Sequence, residues 1–341
     1  MTFCFGISKT PSLLFADLLI FCEYCSLKIV LLILIEKMNN ILLPPFLKSG
    51  DKVAIVSPAG AIDAELVDGA IDVLESWGLI AEKRAYTTDR VGRFAGTDKC
   101  RYDDLQQVFD DTSVAAILCS RGGYGTMRII DELDFSRFKV NPKWVIGFSD
   151  ITVLHAALTL NGVASIHGAM AKAIAHFDNN RESVEALKKV LFGEKSIYSL
   201  QPSIYNRNGV VSGQLVGGNL SLLYALLATP YNPIKQGTIL FIEDVSEAHY
   251  HIDRMLQAFR LAGVFNRVSG VIVGEFSDVD NDPSMLRNLE MSILDAVGDR
   301  DIPVVFDFPA GHGSKNMPLI MGTDVNLTVG DEEVIIEMNE A

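Results

Sequence analysis

Short apolar runs alternate with longer amphipathic stretches through most of the chain. Residues 53–56, 114–119 and 144–146 are unbroken apolar runs with the length of buried strands. Each precedes a turn and then a stretch with apolar residues at helical spacing, such as 63–77. This alternation predicts an α/β fold with a mainly parallel sheet flanked by helices. The other elements predicted in this half are a strand at 81–84 and helices at 97–109, at 151–160 and from the glycines at 122–125 to about 133.

The alternation weakens between about residues 193 and 212, where proline, asparagine and glycine residues gather. Three short strands predicted near the end of the chain indicate a smaller C-terminal α+β domain containing a β-barrel-like sheet. The elements predicted there are helices at 220–227, 249–262 and 285–297 and strands at 238–242, 270–273, 319–321, 326–329 and 333–337. The predicted organisation is an extension at 1–37, an α/β domain at 38–195, a linker at 196–212 and a C-terminal domain at 213–341.

The first 37 residues do not fit the pattern of the rest. Residues 11–35 are rich in Leu, Ile and Phe, but Asp17, Glu23 and Lys28 interrupt them and would be costly in a bilayer. The longest uninterrupted apolar run, 29–35, is too short to span a membrane. We therefore expect no stable membrane span, and interpret this segment as an over-long start before Met38 or as a leader.

The charge and the cysteines exclude several classes of function. The net charge of −14 and pI near 4.9 argue against nucleic acid as a partner, although a local cationic pocket remains compatible with them. The five cysteines form neither a disulfide framework nor a zinc site. Cys22 and Cys25 have CxxC spacing, but nothing downstream completes a ligand set. We expect no metal and no cofactor.

A serine stands where one of the predicted strands turns into a helix, in the sequence Gly-Phe-Ser-Asp at 147–150. Such a turn holds the Ser149 side chain up at the edge of a sheet, with the amide of Asp150 pointing the same way. This is the geometry of a nucleophile elbow with one oxyanion donor. The alternative is that Ser149 and Asp150 only cap the helix.

A glycine-rich loop, Ser-Arg-Gly-Gly-Tyr-Gly at 120–125, follows another buried strand. Its glycines allow a ligand to approach the backbone closely, and its exposed amides favour an anion. Arg121 could hold a substrate carboxylate with two hydrogen bonds. The alternative is a tight strand-to-helix turn with a surface arginine.

Two further groups complete a possible acyl-transfer site. Glu243 comes at the end of the predicted strand 238–242, where a carboxylate can orient a histidine; the alternative is that Glu243 and Asp244 cap a helix. His312 stands between two glycines in a loop and could move a proton near neutral pH, and His167 is its main rival. The order serine, glutamate, histidine is that of serine hydrolases on α/β sheets.

These segments resemble the L,D-carboxypeptidases, also called muramoyltetrapeptide carboxypeptidases, from about Lys52 to Met338. The matching motifs are Ser-Pro-Ala-Gly at 57–60, Arg-Phe-Ala-Gly at 93–96, Arg-Gly-Gly-Tyr-Gly at 121–125, Gly-Phe-Ser-Asp at 147–150, Gly-Gly-Asn-Leu at 217–220, Ile-Glu-Asp at 242–244 and Gly-His at 311–312. Residues 1–37 have no counterpart in the resemblance.

The resemblance implies a catalytic triad of Ser149, Glu243 and His312. It places the oxyanion hole at the amides of Gly123 and Asp150. For substrate binding, Arg121 and Gly122 are the candidates. The implied reaction is release of the terminal D-alanine from murein tetrapeptides, in peptidoglycan recycling in the cytoplasm. It also suggests a homodimer.

Two other functions compete with this interpretation. One is a peptidase of the same family that gives self-resistance to a peptide-nucleotide antibiotic; such relatives carry a Gly-Gly-Asp pattern instead of the loop at 121–125. The other is a non-catalytic, two-domain ligand-binding protein, which would need the cleft and the loop but no converging serine, glutamate and histidine.

Overall fold

The structure, a computed structural model, describes residues 41–280 and 282–338. The predictions for residues 1–37, including the pair Cys22 and Cys25, therefore lie outside the described residues. No helix in the described part of the chain has both the length and the apolar content needed to cross a membrane.

Six strands form the first sheet, and five of them run parallel. The strands are β1 (Lys52–Val56), β2 (Ile80–Lys83), β3 (Val114–Cys119), β4 (Trp144–Gly147), β5 (Ser165–His167) and β11 (Leu319–Met321). Their order in the sheet is β11-β5-β4-β3-β1-β2, and only β11, which comes from near the end of the chain, is antiparallel to its neighbour. The predicted α/β class is confirmed.

Helices cover both faces of this sheet because its central strands are apolar on both sides. In β1, Ala54 and Val56 belong to one buried cluster, whereas Val53 and Ile55 belong to another. This is the two-residue alternation of a strand between two cores. The helices of this half are α1 (Ala64–Ser76), α2 (Asp98–Asp110), α3 (Ser136–Val140), α4 (Thr152–Leu160), α5 (Ala171–Ala175) and α6 (Phe177–Leu191).

The second sheet has seven strands in the order β10-β9-β8-β7-β12-β13-β6. Its first four strands are parallel and the remaining pairs antiparallel. One side packs on helices, and the other encloses a separate apolar cluster, in agreement with the barrel-like sheet that was predicted. The strands are β6 (Ile197–Leu200), β7 (Gly209–Asn219), β8 (Ile239–Val245), β9 (Gly270–Ser277), β10 (Val304–Val305), β12 (Asp324–Val329) and β13 (Val334–Met338), and the helices are α7 (Leu220–Leu226), α8 (His249–Leu261) and α9 (Leu289–Val297).

Several predicted elements differ from the structure. The helix predicted up to residue 133 is two 3₁₀ turns, Thr126–Arg128 and Ile130–Glu132, which bury the adjacent Ile129 and Ile130 in one cluster. The segment 196–212 contains β6 and the start of β7, whose backbones pair with β13 and β12. Strand pairing therefore replaces the irregular chain expected there, and the division into domains stays a prediction.

No element was predicted from the sequence at α3, β5, α5, α6, β7 or β10. In α6, Val184, Leu187 and Leu191 are buried on one face, so the helical spacing was present in the sequence. Helix α9 starts at Leu289, later than predicted, because the side chain of Asn288 caps it by accepting a hydrogen bond from the Met291 amide (3.0 Å).

Candidate active site

Ser149 occupies a sharp turn between β4 and α4. Its φ of +64° lies in the left-handed region, which a non-glycine residue seldom adopts. No side-chain capping bond forms at the start of the 3₁₀ turn Ser149–Ile151 or of α4. The strained backbone therefore presents the serine at the carboxyl end of the sheet, as in a nucleophile elbow, and the capping alternative is not what the structure contains.

The glycine loop lies directly against this serine. A Cβ atom at Gly122 would be 2.7 Å from the Ser149 Cβ, 2.8 Å from its Oγ and 3.3 Å from the Asp150 amide nitrogen. Gly123 has a φ of +113°, and among the described residues no acceptor is found for its amide. The loop is fixed from behind, since the Gly60 amide donates to the Gly122 carbonyl oxygen (3.1 Å).

The side chain of Asp150 turns away from the cavity. Its Oδ2 accepts a hydrogen bond from the Thr126 amide (2.8 Å), and the residue is buried. Burial raises the pKa of this carboxyl, and the hydrogen bonds at Thr126 oppose the rise. This hydrogen bond joins Asp150, which follows Ser149, to Thr126, which follows the glycine loop. It therefore fixes the amides of Asp150 and Gly123, the two oxyanion-hole candidates, relative to each other.

Glu243 and Asp244 point to opposite faces of β8 and do different things. Asp244 accepts hydrogen bonds from the Ser221 amide (2.9 Å) and from Asn219 Nδ2 (2.8 Å), so it caps the start of α7. Glu243 accepts one from His312 Nδ1 (2.7 Å). The capping alternative thus describes Asp244, whereas Glu243 contacts the histidine.

Glu243 lies within β8 rather than after it, beside an irregularity in the pairing with β9. The register shifts between Ile242 and Asp244, as at a β-bulge, which is common beside active sites. Glu243 is completely buried. Burial raises its pKa, and the hydrogen bond from His312 opposes the rise.

His312 lies in a glycine loop that fits closely around Glu243. Gly311 has a φ of +138°, and a Cβ there would be 3.1 Å from Glu243 Oε2. The ring of Phe148 lies 4.8 Å from the His312 ring, centroid to centroid. Ser149 and His312 line the same cavity. Among the hydrogen bonds of the described residues, none joins the two side chains.

His167 is buried behind this site and does not line the cavity. Its Nε2–H donates to Asn316 Oδ1 (3.2 Å), which also accepts from the Gly311 amide (3.1 Å). Burial lowers its pKa well below the ordinary value, so the ring is neutral at pH 7. Of these two histidines, His312 is therefore the one that lines the cavity.

The cavity holds about 300 Å³ and is cationic. Arg121 and Lys172 line it, whereas none of its described lining residues is Asp or Glu. Lys172, from the start of α5, and Ser183, from α6, were missed in the sequence because those helices were missed. Asn316 was missed because only the fold brings it beside His312.

A serine on an elbow, a buried carboxylate bound to a histidine, and a glycine loop over the serine are typical of hydrolases that transfer acyl groups. Sequence profiles give the family. The LD-carboxypeptidase N-terminal domain matches residues 53–168, and the LD-carboxypeptidase C-terminal domain matches residues 212–327. The chain belongs to the LD-carboxypeptidase family, and the resemblance stated above is confirmed.

Individual relatives agree with this assignment. A putative carboxypeptidase of Synechocystis is 36% identical over 294 residues, covering 85% of this chain and 95% of that protein. A probable murein peptide carboxypeptidase of Bacillus subtilis is 34% identical over 301 residues, covering 86% and 94%.

Solved structures share the fold. Muramoyltetrapeptide carboxypeptidase from Oxalobacter formigenes has a TM-score of 0.79 and 27% identity, covering 85% of this chain and 99% of that one. The microcin C7 self immunity protein MccF has a TM-score of 0.78 at 22% identity, covering 88% and 99%, and this likeness concerns the fold alone.

Proposed function

We propose that this protein is a serine-type L,D-carboxypeptidase that releases the terminal D-alanine from murein tetrapeptides. The observation that carries the proposal is the contact between buried Glu243 and His312 in the same cavity as the strained Ser149. Family membership supports the peptidase class. A place in peptidoglycan recycling, a cytoplasmic location and a homodimer are parts of the proposal that rest on the resemblance.

Each residue of the triad has one role in the proposed mechanism. Ser149 Oγ attacks the peptide carbonyl while His312 Nε2 takes its proton, once a side-chain movement has brought the serine and the histidine into hydrogen-bond contact. Glu243 accepts the Nδ1–H bond, which leaves Nε2 free to act as a base, and stabilises the imidazolium that forms. His312 then protonates the leaving D-alanine, and water releases the acyl group from Ser149.

The developing oxyanion is held by backbone amides. Gly123 and Asp150 contribute the two N–H groups. Gly122 lets the loop pack directly against Ser149, because a Cβ there would lie 2.8 Å from the serine Oγ. Removal of one such donor typically costs about 10²–10³ in kcat.

A carboxypeptidase must also recognise a free carboxylate, and the cationic cavity is suited to that. Arg121 lines it, and its guanidinium donates to the Ala61 carbonyl oxygen (3.3 Å), while no carboxylate among the described residues pairs with it. A guanidinium can bind the substrate's terminal carboxylate with two parallel hydrogen bonds.

The same-family alternative is self-resistance to a peptide-nucleotide antibiotic. It is supported by the shared fold with the self immunity protein MccF, one structure of which is a complex with aspartyl sulfamoyl adenosine. The loop Arg-Gly-Gly-Tyr-Gly at 121–125 favours the murein reaction, because the resistance relatives carry a Gly-Gly-Asp pattern instead.

The test follows alanine release by mass spectrometry from a murein tetrapeptide ending in D-alanine and from one ending in L-alanine. Aspartyl sulfamoyl adenosine is the third substrate. We expect release of D-alanine alone, and its loss in Ser149→Ala. Cleavage of the nucleotide conjugate without D-alanine release would replace the proposal with the alternative, and no turnover by a folded protein that binds these compounds would favour a binding role.

A further inference from the structure

A second cavity borders the same glycine loop as the catalytic cavity. It holds about 350 Å³ and is lined by Gly60, Arg90, Arg93, Arg121 and Tyr124, among others. The two cavities share Arg121 and Gly123, so the loop that carries an oxyanion candidate lines both of them.

The second cavity is strongly cationic although the chain is acidic. Three of its lining residues are arginines, none of its described lining residues is Asp or Glu, and the net charge of the chain is −14. Arg90 pairs with Asp63 (2.7 Å), but among the described residues no carboxylate pairs with Arg93. Arg121, which the proposed function assigns to the terminal carboxylate, donates to the Ala61 carbonyl oxygen (3.3 Å).

The turn that carries Arg90 and Arg93 is firmly held. Val91 and Phe94 exchange two backbone hydrogen bonds (3.0 and 3.1 Å), and the Ala61 amide donates to the Arg93 carbonyl oxygen (3.1 Å). The Phe94 ring lies 5.5 Å from the ring of Tyr124 in the glycine loop, centroid to centroid. The unpaired guanidinium group of Arg93 is therefore attached to a backbone that is fixed relative to Gly123.

We propose that this second cavity binds another carboxylate of the substrate, distinct from the terminal carboxylate at the scissile bond. This deepens the proposed function and rests on it. Guanidinium groups without a carboxylate partner bind substrate carboxylates well, and a cationic cavity in an acidic protein concentrates anions. Because Gly123 borders both cavities, a peptide whose scissile carbonyl reaches the Gly123 amide can extend a neighbouring acid group into the second cavity.

Two acid groups of a murein tetrapeptide have this chemistry. One is the free α-carboxylate of the γ-linked D-glutamate, and the other is the side-chain carboxylate of the diamino acid when it is diaminopimelate. The structure defines the shared chemistry, and the arms of the test separate the two sources.

The test measures binding by calorimetry in the full-length Ser149→Ala protein, where the peptide is not consumed. The probes are the diaminopimelate tetrapeptide, the same peptide with lysine as the diamino acid, and the same peptide with isoglutamine in place of D-glutamate. The variant is Arg93→Gln, and the control is Arg137→Gln, an equal charge change at an exposed residue of α3 that lines neither cavity.

We expect Arg93→Gln to weaken binding of the diaminopimelate peptide about tenfold, the effect of one lost charge-assisted contact at an open site. Arg137→Gln should leave it unchanged. One of the two altered peptides should bind the parent protein about tenfold more weakly than the diaminopimelate peptide does. The same altered peptide should bind the parent protein and the Arg93→Gln variant equally, because the carboxylate that Arg93 contacts is then absent. That peptide identifies the carboxylate that the cavity holds.

Equal binding of all three peptides by the Arg93→Gln variant and its parent would overturn the inference, as would an equal loss in the Arg137→Gln control. Neither result touches the proposed reaction, because D-alanine release is assayed separately in the protein that retains Ser149. Absence of D-alanine release with intact Arg93-dependent binding would instead reject the proposed function and keep the carboxylate site.

Discussion

Replacing Glu243 by glutamine should separate catalysis from stability. The Glu243→Gln side chain keeps the shape of the original carboxylate, which accepts a hydrogen bond from His312 Nδ1 (2.7 Å). An amide at this position no longer stabilises the imidazolium and can favour the wrong tautomer. We expect kcat to fall by about 10³- to 10⁴-fold, the scale measured for such changes in other triads.

The same substitution should stabilise the fold at neutral pH. Burial raises the pKa of Glu243 above its ordinary value of 4.5, so the folded state holds this proton more tightly than the unfolded chain. Below pH 4.5 the carboxyl is neutral in both states; as pH rises through the raised pKa, ionisation costs the fold about 1.4 kcal/mol per unit of pKa shift. Glutamine does not ionise, so it avoids this cost.

The assay combines D-alanine release with thermal unfolding at pH 4 and pH 7. The Glu243→Gln variant should be inactive, more stable than the parent at pH 7, and close to it at pH 4. Asp244→Asn is a matched control for the activity assay alone, because this neighbouring carboxylate caps α7 and does not contact His312, whereas burial raises its pKa as well. A Glu243→Gln variant that keeps a tenth or more of parental activity, or that is less stable at pH 7, would refute the reasoning.

Three further predictions follow from the contacts. Gly122→Ala should lower kcat/KM about 100-fold without unfolding the protein, because the new Cβ would lie 2.7 Å from the Cβ of Ser149. Gly168→Ala is the control: its new Cβ would make only ordinary van der Waals contacts, so kcat/KM should hardly change. Asp244→Ala should lower the free energy of unfolding by about 2–4 kcal/mol in urea titrations, because it leaves the buried amide of Asn219 and the half-buried donors of Ser221 unpaired; no loss would contradict the capping role. Burial lowers the pKa of His155 to about 4, so stability should fall by roughly 3 kcal/mol as pH drops from 6.5 to 4, and a His155→Gln variant with the same pH slope would contradict this.

The parallel sheet could be predicted because its strands are buried on both faces. An unbroken run such as 114–119 predicts a central strand without any knowledge of its neighbours, and the structure places β3 there. Strand β6 could not be found in this way, because its residues are alternately exposed and half-buried and form no unbroken apolar run. Its partner β13 also lies far from it in the sequence.

The site residues were singled out by local patterns, whereas their surroundings depend on distant contacts. The strand-to-helix turn marked Ser149 in the sequence. Nothing near Asn316 indicates that its side chain joins the His312 loop to His167, because those partners come from different strands and loops. For the same reason the different tasks of Glu243 and Asp244 became visible only when the partners on each face of β8 were known.

The most direct test of the account is an acid-quench experiment on the first turnover of a murein tetrapeptide. Intact-protein mass spectrometry after the quench should show a protein heavier by the tripeptide acyl group, with the added mass on the peptide that contains Ser149 and one equivalent of D-alanine released. Ser149→Ala should form no such adduct and release no D-alanine. Release of D-alanine by the Ser149→Ala protein at the parental rate would contradict the central claim that Ser149 is the nucleophile.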